Sequence, residues 1–245
     1  MCIRDRSGAG PGFEPFEQDV LSTGGYRYTT DAPLSSRLAN QRITDASLAS
    51  ADWAGKRVID LGCGDGTYTV ALLELGHPAS IHGVEPSAAA VASARARSGD
   101  PRLSFAEGSA YRLPHADNEF DLAYLRGVLH HMDRPLAALS EALRVAPVVV
   151  VVEPNGYNLG LKVLEKVSPY HREHAERSYA PRQLDQWAAG LGGTVVARRF
   201  IGFVPMFCPD RYAEVAKRIE PTLERRPGLR SLTCAQYVFT ITQGS

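Results

Sequence analysis

The chain has 245 residues, of which 44% are hydrophobic, and its 27 basic and 27 acidic residues give a formal net charge of zero. This length and apolar content allow one large domain with a buried core and argue against general disorder. The balanced charge gives no sign of a nucleic-acid or membrane-surface protein, and the longest apolar run, around residues 148–152, is too short to span a bilayer.

The N-terminal residues divide into three parts. Residues 1–6 read as a translated sequencing adapter, so we expect an environmental read without its native start and exclude them from the fold; the alternative is a short native tail. Residues 7–50 form an irregular arm rich in Gly, Pro, Ser and Thr, followed by an amphipathic helix over 34–49. Residues 51–245 are predicted as one domain with a lid-like insert at about 155–180. Four cysteines without paired spacing fit a reducing compartment, which predicts a cytoplasmic protein.

Strand and helix patterns alternate through the rest of the chain. Apolar runs predict strands at 57–61, 80–85, 103–107, 120–126, 147–153, 194–201 and 236–241. Periodic segments predict helices at 67–75, 87–97, 135–145, 181–191 and 210–223, and Ser87 is a candidate N-cap. This alternation predicts an α/β fold with a doubly wound, mostly parallel sheet of seven strands and helices on both faces.

The segment Asp60-Leu61-Gly62-Cys63-Gly64-Asp65-Gly66 ends the first strand and opens the next helix. Such a turn presents backbone N–H groups in a concave surface, and glycines let a ligand approach the backbone closely. Two ligands use turns of this kind: a dinucleotide, or the amino-acid end of S-adenosylmethionine.

Charge favours the second ligand. Thr67 occupies the position of the third dinucleotide glycine, and the carboxylates of Asp60 and Asp65 would repel a pyrophosphate. A ligand with an ammonium and a sulfonium reverses the sign of that interaction. Glu85, about 20 residues further on, has the spacing of a residue that accepts both ribose hydroxyls, which suits either cofactor. The alternative is that Asp60 and Glu85 only cap neighbouring loops.

Three segments together resemble a known family. Residues 58–66 resemble the signature turn of the class I S-adenosylmethionine-dependent methyltransferases, residues 107–114 their adenine-side segment, and residues 118–131 their fourth strand and following loop. The resemblance runs from about residue 55 to 155 and is closest to the type-11-like branch that acts on small molecules. It implies a Rossmann-like fold, S-adenosylmethionine as the cofactor and methyl transfer as the reaction.

The resemblance also implies cofactor-binding residues. Asp60, Gly62, Cys63 and Gly64 would surround the methionine part, Glu85 would hold the ribose, Pro86, Ser109 and Ala110 would contact the adenine, and the backbone carbonyl of Arg126 would face the ammonium. Two positions depart from the family pattern, because Ser109 stands where an Asp is common and Arg126 where a small or amide residue is common. The guanidinium of Arg126 would either bind an anionic substrate group or point outward and pair with a carboxylate.

The acceptor side is less constrained. His131, in the loop after the fourth strand, is the candidate general base, and the alternative is a histidine bonded to a backbone carbonyl. Because His130 is adjacent, the two side chains are not expected to face the site together. The predicted substrate-contacting residues are Tyr28, Arg126, His131, Tyr157, His171 and His174. The spacing of His171 and His174 also suits a metal, but no third ligand completes a set, so no metal site is predicted.

These observations predict an enzyme that transfers a methyl group from S-adenosylmethionine to a small-molecule acceptor or a cell-envelope precursor. One alternative is a protein that binds S-adenosylmethionine for other chemistry or as a sensor; another is an NAD-dependent dehydrogenase. The predicted partner is the small acceptor alone, with no nucleic acid and no membrane span. The sequence does not predict an oligomeric state.

Overall fold

The computed structural model describes residues 29, 32–167 and 178–244. The strands are β1 (Arg57–Leu61), β2 (Ser80–Glu85), β3 (Leu103–Glu107), β4 (Leu122–Arg126), β5 (Val148–Pro154), β6 (Gly193–Ile201) and β7 (Gln236–Gln243). The helices are α1 (Leu34–Leu48), α2 (Thr67–Gly76), α3 (Ala88–Arg97), α4 (Pro135–Val145), α5 (Leu159–Val167), α6 (Pro181–Gly190), α7 (Asp210–Arg225) and α8 (Pro227–Thr233), with a 3₁₀ turn at Leu129–His131.

The strands form one sheet in the order β3-β2-β1-β4-β5-β7-β6. Strands β1 to β5 are parallel, while β7 runs antiparallel to both of its neighbours, β5 and β6. The chain builds outward from β1 to β3 and then returns to place β4 on the other side of β1. Open α/β sheets bind ligands outside the carboxyl ends of the strands at such a reversal. The predicted doubly wound, mostly parallel sheet of seven strands is confirmed.

Alternating side chains of the central strands supply two cores, one on each face. Val58 and Tyr124 point toward α1 and α2 and pack with Ile43 and Leu72. The next residues along the strands, such as Ile59, point toward α4 and α6. Because α1 contributes to the first core, it belongs to the same folded unit as the sheet.

Local signals explain most element boundaries. The Ser87 hydroxyl accepts a hydrogen bond from the Ala90 backbone N–H at 3.2 Å, which confirms the predicted N-cap of α3. Strand β4 begins at Leu122 rather than at residue 120, because Asp121 is held in the turn by its backbone bond to Arg57. Helix α8 was not predicted, and none of its residues is buried, so its sequence carries no apolar periodicity.

Three predicted site residues, Tyr28, His171 and His174, lie outside the described residues, as do residues 1–6 and most of the N-terminal arm. In the ranges that the structure describes, no helix has the length and apolar character needed to cross a bilayer.

Candidate functional site

The carboxyl ends of β1, β2, β4 and β5 meet at one edge of the sheet and bring the predicted residues together. Gly62 donates its backbone N–H to the Val84 carbonyl at 2.8 Å, joining the ends of β1 and β2. Gly127 donates to the Val152 carbonyl at 2.8 Å, joining the ends of β4 and β5. The edge is therefore held by backbone bonds just beyond the regular strands, so its side chains are fixed relative to one another.

The turn after β1 is built from glycines in the left-handed region, with φ of 76° at Gly62 and 56° at Gly64. A Cβ on Gly62 would lie 2.7 Å from a Val128 methyl carbon, closer than real contacts allow. Only glycine therefore lets the turn pass this close to the loop after β4. The result is a concave stretch of backbone between β1 and α2, as expected from the sequence.

Glu85 is 5% exposed and lies against the glycine turn. One carboxylate oxygen accepts from the Gly64 backbone N–H at 3.1 Å, and the other accepts from the Ser87 backbone N–H at 3.2 Å. These two bonds fix the orientation of the Glu85 carboxylate at the edge of the sheet.

Asp60 is also buried, at 3% exposure. Its Oδ2 accepts a hydrogen bond from the Thr69 hydroxyl at 2.6 Å. Burial raises the pKa of this carboxyl to about 6, although the Thr69 bond and the charge of Arg126 each act to lower the pKa. A nearby cationic ligand would offset the cost of the buried negative charge.

Asp65 was expected to repel a pyrophosphate in the glycine turn, but its carboxylate contacts protein groups instead. Its Oδ2 lies 3.2 Å from an Arg97 guanidinium nitrogen and accepts from the Thr29 hydroxyl at 2.8 Å, while Oδ1 accepts from the Thr67 backbone N–H. The Asp65 charge is therefore used inside the protein, to begin α2 and to pair with α3. The preference for a cationic ligand rests on Asp60 and Glu85 instead.

Cys63 contributes backbone more than side chain to the turn. Its N–H lies 3.3 Å from the Val84 carbonyl, and its thiol packs near Phe105 in the small core under α3. Burial raises the pKa of this thiol well above its ordinary value. The thiol is therefore a packing group at this position.

The predicted adenine-side residues lie next to Glu85. Gly108 donates its backbone N–H to the Glu85 carbonyl at 3.1 Å, which places Ser109 directly beyond that contact. The Ser109 hydroxyl accepts from the Tyr111 backbone N–H at 3.3 Å, and Ala110 is 8% exposed. Pro86 follows Glu85 and is half-buried. These residues form one continuous wall between the ends of β2 and β3.

The described contacts of Arg126 are with helix α1 and Tyr68, and its contact with an anionic substrate group stays a prediction. Its guanidinium lies 3.5 Å from the centre of the Tyr68 ring and donates to the Thr44 hydroxyl at 3.0 Å and to the Asn40 side-chain carbonyl at 3.1 Å. It points toward α1, and within the described ranges no carboxylate lies at ion-pair distance from it. Asn40 and Thr44 are neutral residues more than 80 positions away, so no local pattern predicts this contact.

Glu153, at the end of β5, was missed in the sequence. It is fully buried, accepts from the backbone N–H groups of Val128 and Leu129 at 3.0 and 2.8 Å, and bonds the His130 ring at 2.9 Å. The signal was available, because a carboxylate that closes a valine-rich strand at this edge resembles Asp60 and Glu85 in position. Glu153 fixes the loop that carries the two histidines.

The rings of His130 and His131 lie together, with their centres 3.8 Å apart. The 3₁₀ turn at Leu129–His131 rotates successive side chains less than a strand does, which lets the two rings meet. Whether both side chains face the site stays a prediction. His130 is the more buried of the two and is held by Glu153, while His131 is half-buried.

The segment after β5 begins and ends at the same place. Gly156 donates its backbone N–H to the Tyr179 carbonyl at 3.0 Å, and a Cβ on Gly156 would lie 2.5 Å from the Tyr179 backbone. Asn155 fastens this point to the body of the domain by donating to the carbonyls of Ser231 and Cys234 at 2.8 Å. Tyr157, which is 37% exposed, therefore lies near the end of β5, two residues after the anchored Asn155.

Metal ligation has no support among the described side chains, since no group of three or more His, Cys, Asp or Glu residues is arranged to hold an ion there. The chemistry that the arrangement does support is the binding of a polar ligand by the glycine turn, two buried carboxylates and the Ser109 wall.

Comparison with known proteins agrees with this geometry. The sequence profile of the family described as "Methyltransferase domain" matches residues 59–148, which run from β1 to β5. The chain is 32% identical over 183 residues to a trans-aconitate 2-methyltransferase of Deinococcus radiodurans, covering 74% of this chain and 63% of the relative. It is 29% identical over 142 residues to a fatty-acid O-methyltransferase of Mycolicibacterium smegmatis, covering 55% of this chain and 50% of the relative.

A solved structure extends the likeness beyond the matched segment. The magnesium protoporphyrin IX methyltransferase of Synechocystis, with bound SAH, superposes with a TM-score of 0.65 at 16% identity, covering 95% of this chain and 96% of that one. At this identity the likeness concerns the fold. Among curated relatives, the chain spans from 37% to 63% of the length of the first three it matches.

Proposed function

The chain belongs to the class I S-adenosylmethionine-dependent methyltransferases, and on that premise we propose that it transfers a methyl group from S-adenosylmethionine to a small-molecule acceptor, including precursors of the cell envelope. The observation that carries the proposal is the pair of buried carboxylates beside the glycine turn. Glu85 accepts from the Gly64 backbone N–H at 3.1 Å, and burial raises the pKa of the Asp60 carboxyl. A cationic nucleoside would place its ribose hydroxyls beside Glu85 and its positive charge beside Asp60.

Each cofactor contact follows from a described group. Glu85 accepts from the ribose hydroxyls, and the half-buried Pro86 lies beside the adenine with Ser109 and Ala110 at its edge. The methionine part lies along Gly62, Cys63 and Gly64, with Asp60 and the Arg126 backbone carbonyl near its ammonium. These assignments rest on the position of the buried carboxylates and of the glycine turn at the strand ends.

The protein's work in the reaction is alignment and the exclusion of water. When bound, S-adenosylmethionine supplies a methyl group on a sulfonium sulfur, which is already a strong electrophile. The residues at the strand ends hold the two reactants in line, which is worth several orders of magnitude in rate. A base is needed only for an acceptor that is protonated at working pH, such as a hydroxyl.

His131 is the residue that we assign as this base. Glu153 orients His130, and the His130 ring lies against the His131 ring at 3.8 Å, so the half-buried His131 has a fixed position at the crevice. Tyr157 and His131 face the acceptor side, and Tyr28, His171 and His174 stay predictions for it. With a hydroxyl acceptor, we expect His131→Ala to lower kcat about 100-fold and to leave cofactor affinity unchanged. Single-turnover kinetics with a saturating cofactor measure this; an unchanged kcat would leave alignment as the whole mechanism.

The small-molecule acceptor is supported by the relatives, two of which are named for trans-aconitate and for fatty acids. Balanced charge gives no support for a nucleic-acid acceptor, and a cytoplasmic location remains a prediction from the cysteines. Cell fractionation would test the location.

Thermal shift with S-adenosylmethionine, S-adenosylhomocysteine and NAD tests the cofactor. We expect both adenosyl ligands to raise Tm, and stabilisation by NAD alone would contradict the proposal. A panel of acids, phenols and alcohols, followed by the formation of S-adenosylhomocysteine, then tests the reaction. Cofactor binding without turnover on any acceptor would favour the alternative of a sensor or of other chemistry.

A further inference from the structure

Helix α1 lies antiparallel across the end of β4. The Ser47 hydroxyl bonds the Tyr124 hydroxyl at 2.9 Å, and Thr44 and Asn40 bond the Arg126 guanidinium. Tyr124 and Arg126 are two positions apart on a strand and so share a face. The carboxyl end of β4 therefore lies beside the N-terminal half of α1.

Ser36 lies one helical turn beyond Asn40 on this same face of α1. One turn advances about 5.4 Å, close to the rise of two strand residues, which brings Ser36 level with the chain just past Arg126. That is the edge at which the cofactor-binding residues meet. Ser36 is fully buried, and within the described ranges its hydroxyl has no hydrogen-bond partner.

The neighbouring Arg126 has no anionic partner within the described ranges. Its described hydrogen bonds go to neutral oxygen atoms of Asn40 and Thr44, and it lowers the pKa of Asp60 without forming an ion pair with it. A half-buried cation normally has an anionic partner, because desolvation is costly without one. The described bonds use three of the five guanidinium N–H donors, so the group can still donate to a carboxylate oxygen.

We propose that Arg126 and Ser36 bind a carboxylate group of the acceptor at the junction of α1 and β4. The carboxylate accepts from the guanidinium and from the Ser36 hydroxyl, satisfying both groups with one ligand. This inference rests on the proposed function, since it gives the acceptor of that same site an acidic group. The cofactor's own carboxylate is the other source of this chemistry, and the test separates the two.

Ser36→Ala carries the test, because it removes only a hydroxyl without a partner. Ser35→Ala is its matched control: Ser35 is equally buried and its hydroxyl also has no partner within the described ranges, but it lies about 100° around the helix. Arg126→Lys and Arg126→Gln complete the set, and because Arg126 also bonds to α1, the folding of these two variants is measured first. Circular dichroism and Tm establish that each variant folds.

The probes are trans-aconitate, dodecanoate and benzoate, each paired with its amide and titrated by calorimetry into protein saturated with S-adenosylhomocysteine. We expect at least one acid, and not its amide, to bind. Its Kd should rise about 10-fold in Ser36→Ala, more in Arg126→Gln than in Arg126→Lys, and less than 2-fold in Ser35→Ala.

Separate titrations use S-adenosylhomocysteine and 5′-methylthioadenosine, which lacks the carboxylate. Equal affinities in wild type and Ser36→Ala are expected for both. A loss confined to S-adenosylhomocysteine would assign the carboxylate to the cofactor and overturn the proposal, as would amides that bind like acids, no acid that binds, or equal losses in Ser35→Ala and Ser36→Ala. A wild type that binds no S-adenosylhomocysteine would instead refute the proposed function.

Discussion

Asp60 and Glu153 are both buried carboxylates at the carboxyl edge of the sheet, and the protein treats them differently. Glu153 accepts two backbone N–H groups and bonds the His130 ring. Asp60 is described with one donor, the Thr69 hydroxyl, and its pKa is raised to about 6. The protein therefore supplies the hydrogen-bond donors that Glu153 needs. For Asp60, part of the desolvation cost is not offset by the protein, and a cationic ligand would offset it.

The two carboxylates also face opposite sides of the sheet. In the strand register, Asp60 is level with Tyr124 and Val150, so it points toward α1 and α2. Glu153 lies three residues beyond Val150 and points to the other face, where α4 packs. Burial alone does not separate a ligand-binding carboxylate from a structural one; the number of protein donors does. Four experiments can break or sharpen this contrast.

The largest effect is expected at the turn that both faces share. Gly62→Ala places an alanine in the left-handed backbone region, with its Cβ 2.7 Å from a Val128 methyl carbon. We expect this to destabilise the fold by roughly 2–4 kcal/mol and to abolish cofactor binding. Gly55→Ala is the control, because Gly55 has φ of 69° but no atom within 4 Å of its Cβ, so about 1 kcal/mol is expected. Urea unfolding measures both. Equal losses at the two positions would show that Val128 does not limit the turn.

Asp60→Asn should separate stability from function. Because the folded-state pKa lies above the ordinary value of 3.8, the protonated form favours folding; this stability is complete below about pH 4 and is lost as the pH rises through 6. We expect the variant to exceed wild type by about 3 kcal/mol at pH 8, to match it at pH 4, and to bind cofactor more weakly at pH 8. Urea unfolding at both pH values provides the measurement. A variant that is less stable at pH 8 would mean that the Asp60 charge is already compensated.

Glu153→Gln should lower the stability of the fold and leave cofactor binding nearly unchanged. Losing the charged acceptor of two backbone N–H groups should cost about 1–2 kcal/mol of unfolding free energy, while the affinity for S-adenosylhomocysteine changes less than 2-fold. Urea unfolding and calorimetry on one preparation give both numbers. A variant with full stability and weak cofactor binding would interchange the roles of the two carboxylates.

The sequence predicted which residues lie at the strand ends better than the contacts that these residues make. Strands β1, β2 and β3 begin and end where their apolar runs do, and Asp60 and Glu85 follow from strand ends. Asp65 and Arg126 did not follow, because their partners, Arg97 on α3 and Asn40 on α1, depend on how helices dock on the sheet. Local patterns fix which residues reach the edge, and tertiary packing decides which way they point.

The most direct test of the cofactor site is calorimetry of S-adenosylhomocysteine with Glu85→Gln and Glu107→Gln. The two positions are paired in register on β2 and β3, but Glu85 is buried beside the glycine turn and Glu107 is exposed. We predict a rise in Kd of about 10–100-fold for Glu85→Gln and less than 2-fold for Glu107→Gln. Equal affinities in wild type and both variants would contradict the placement of the cofactor at this edge.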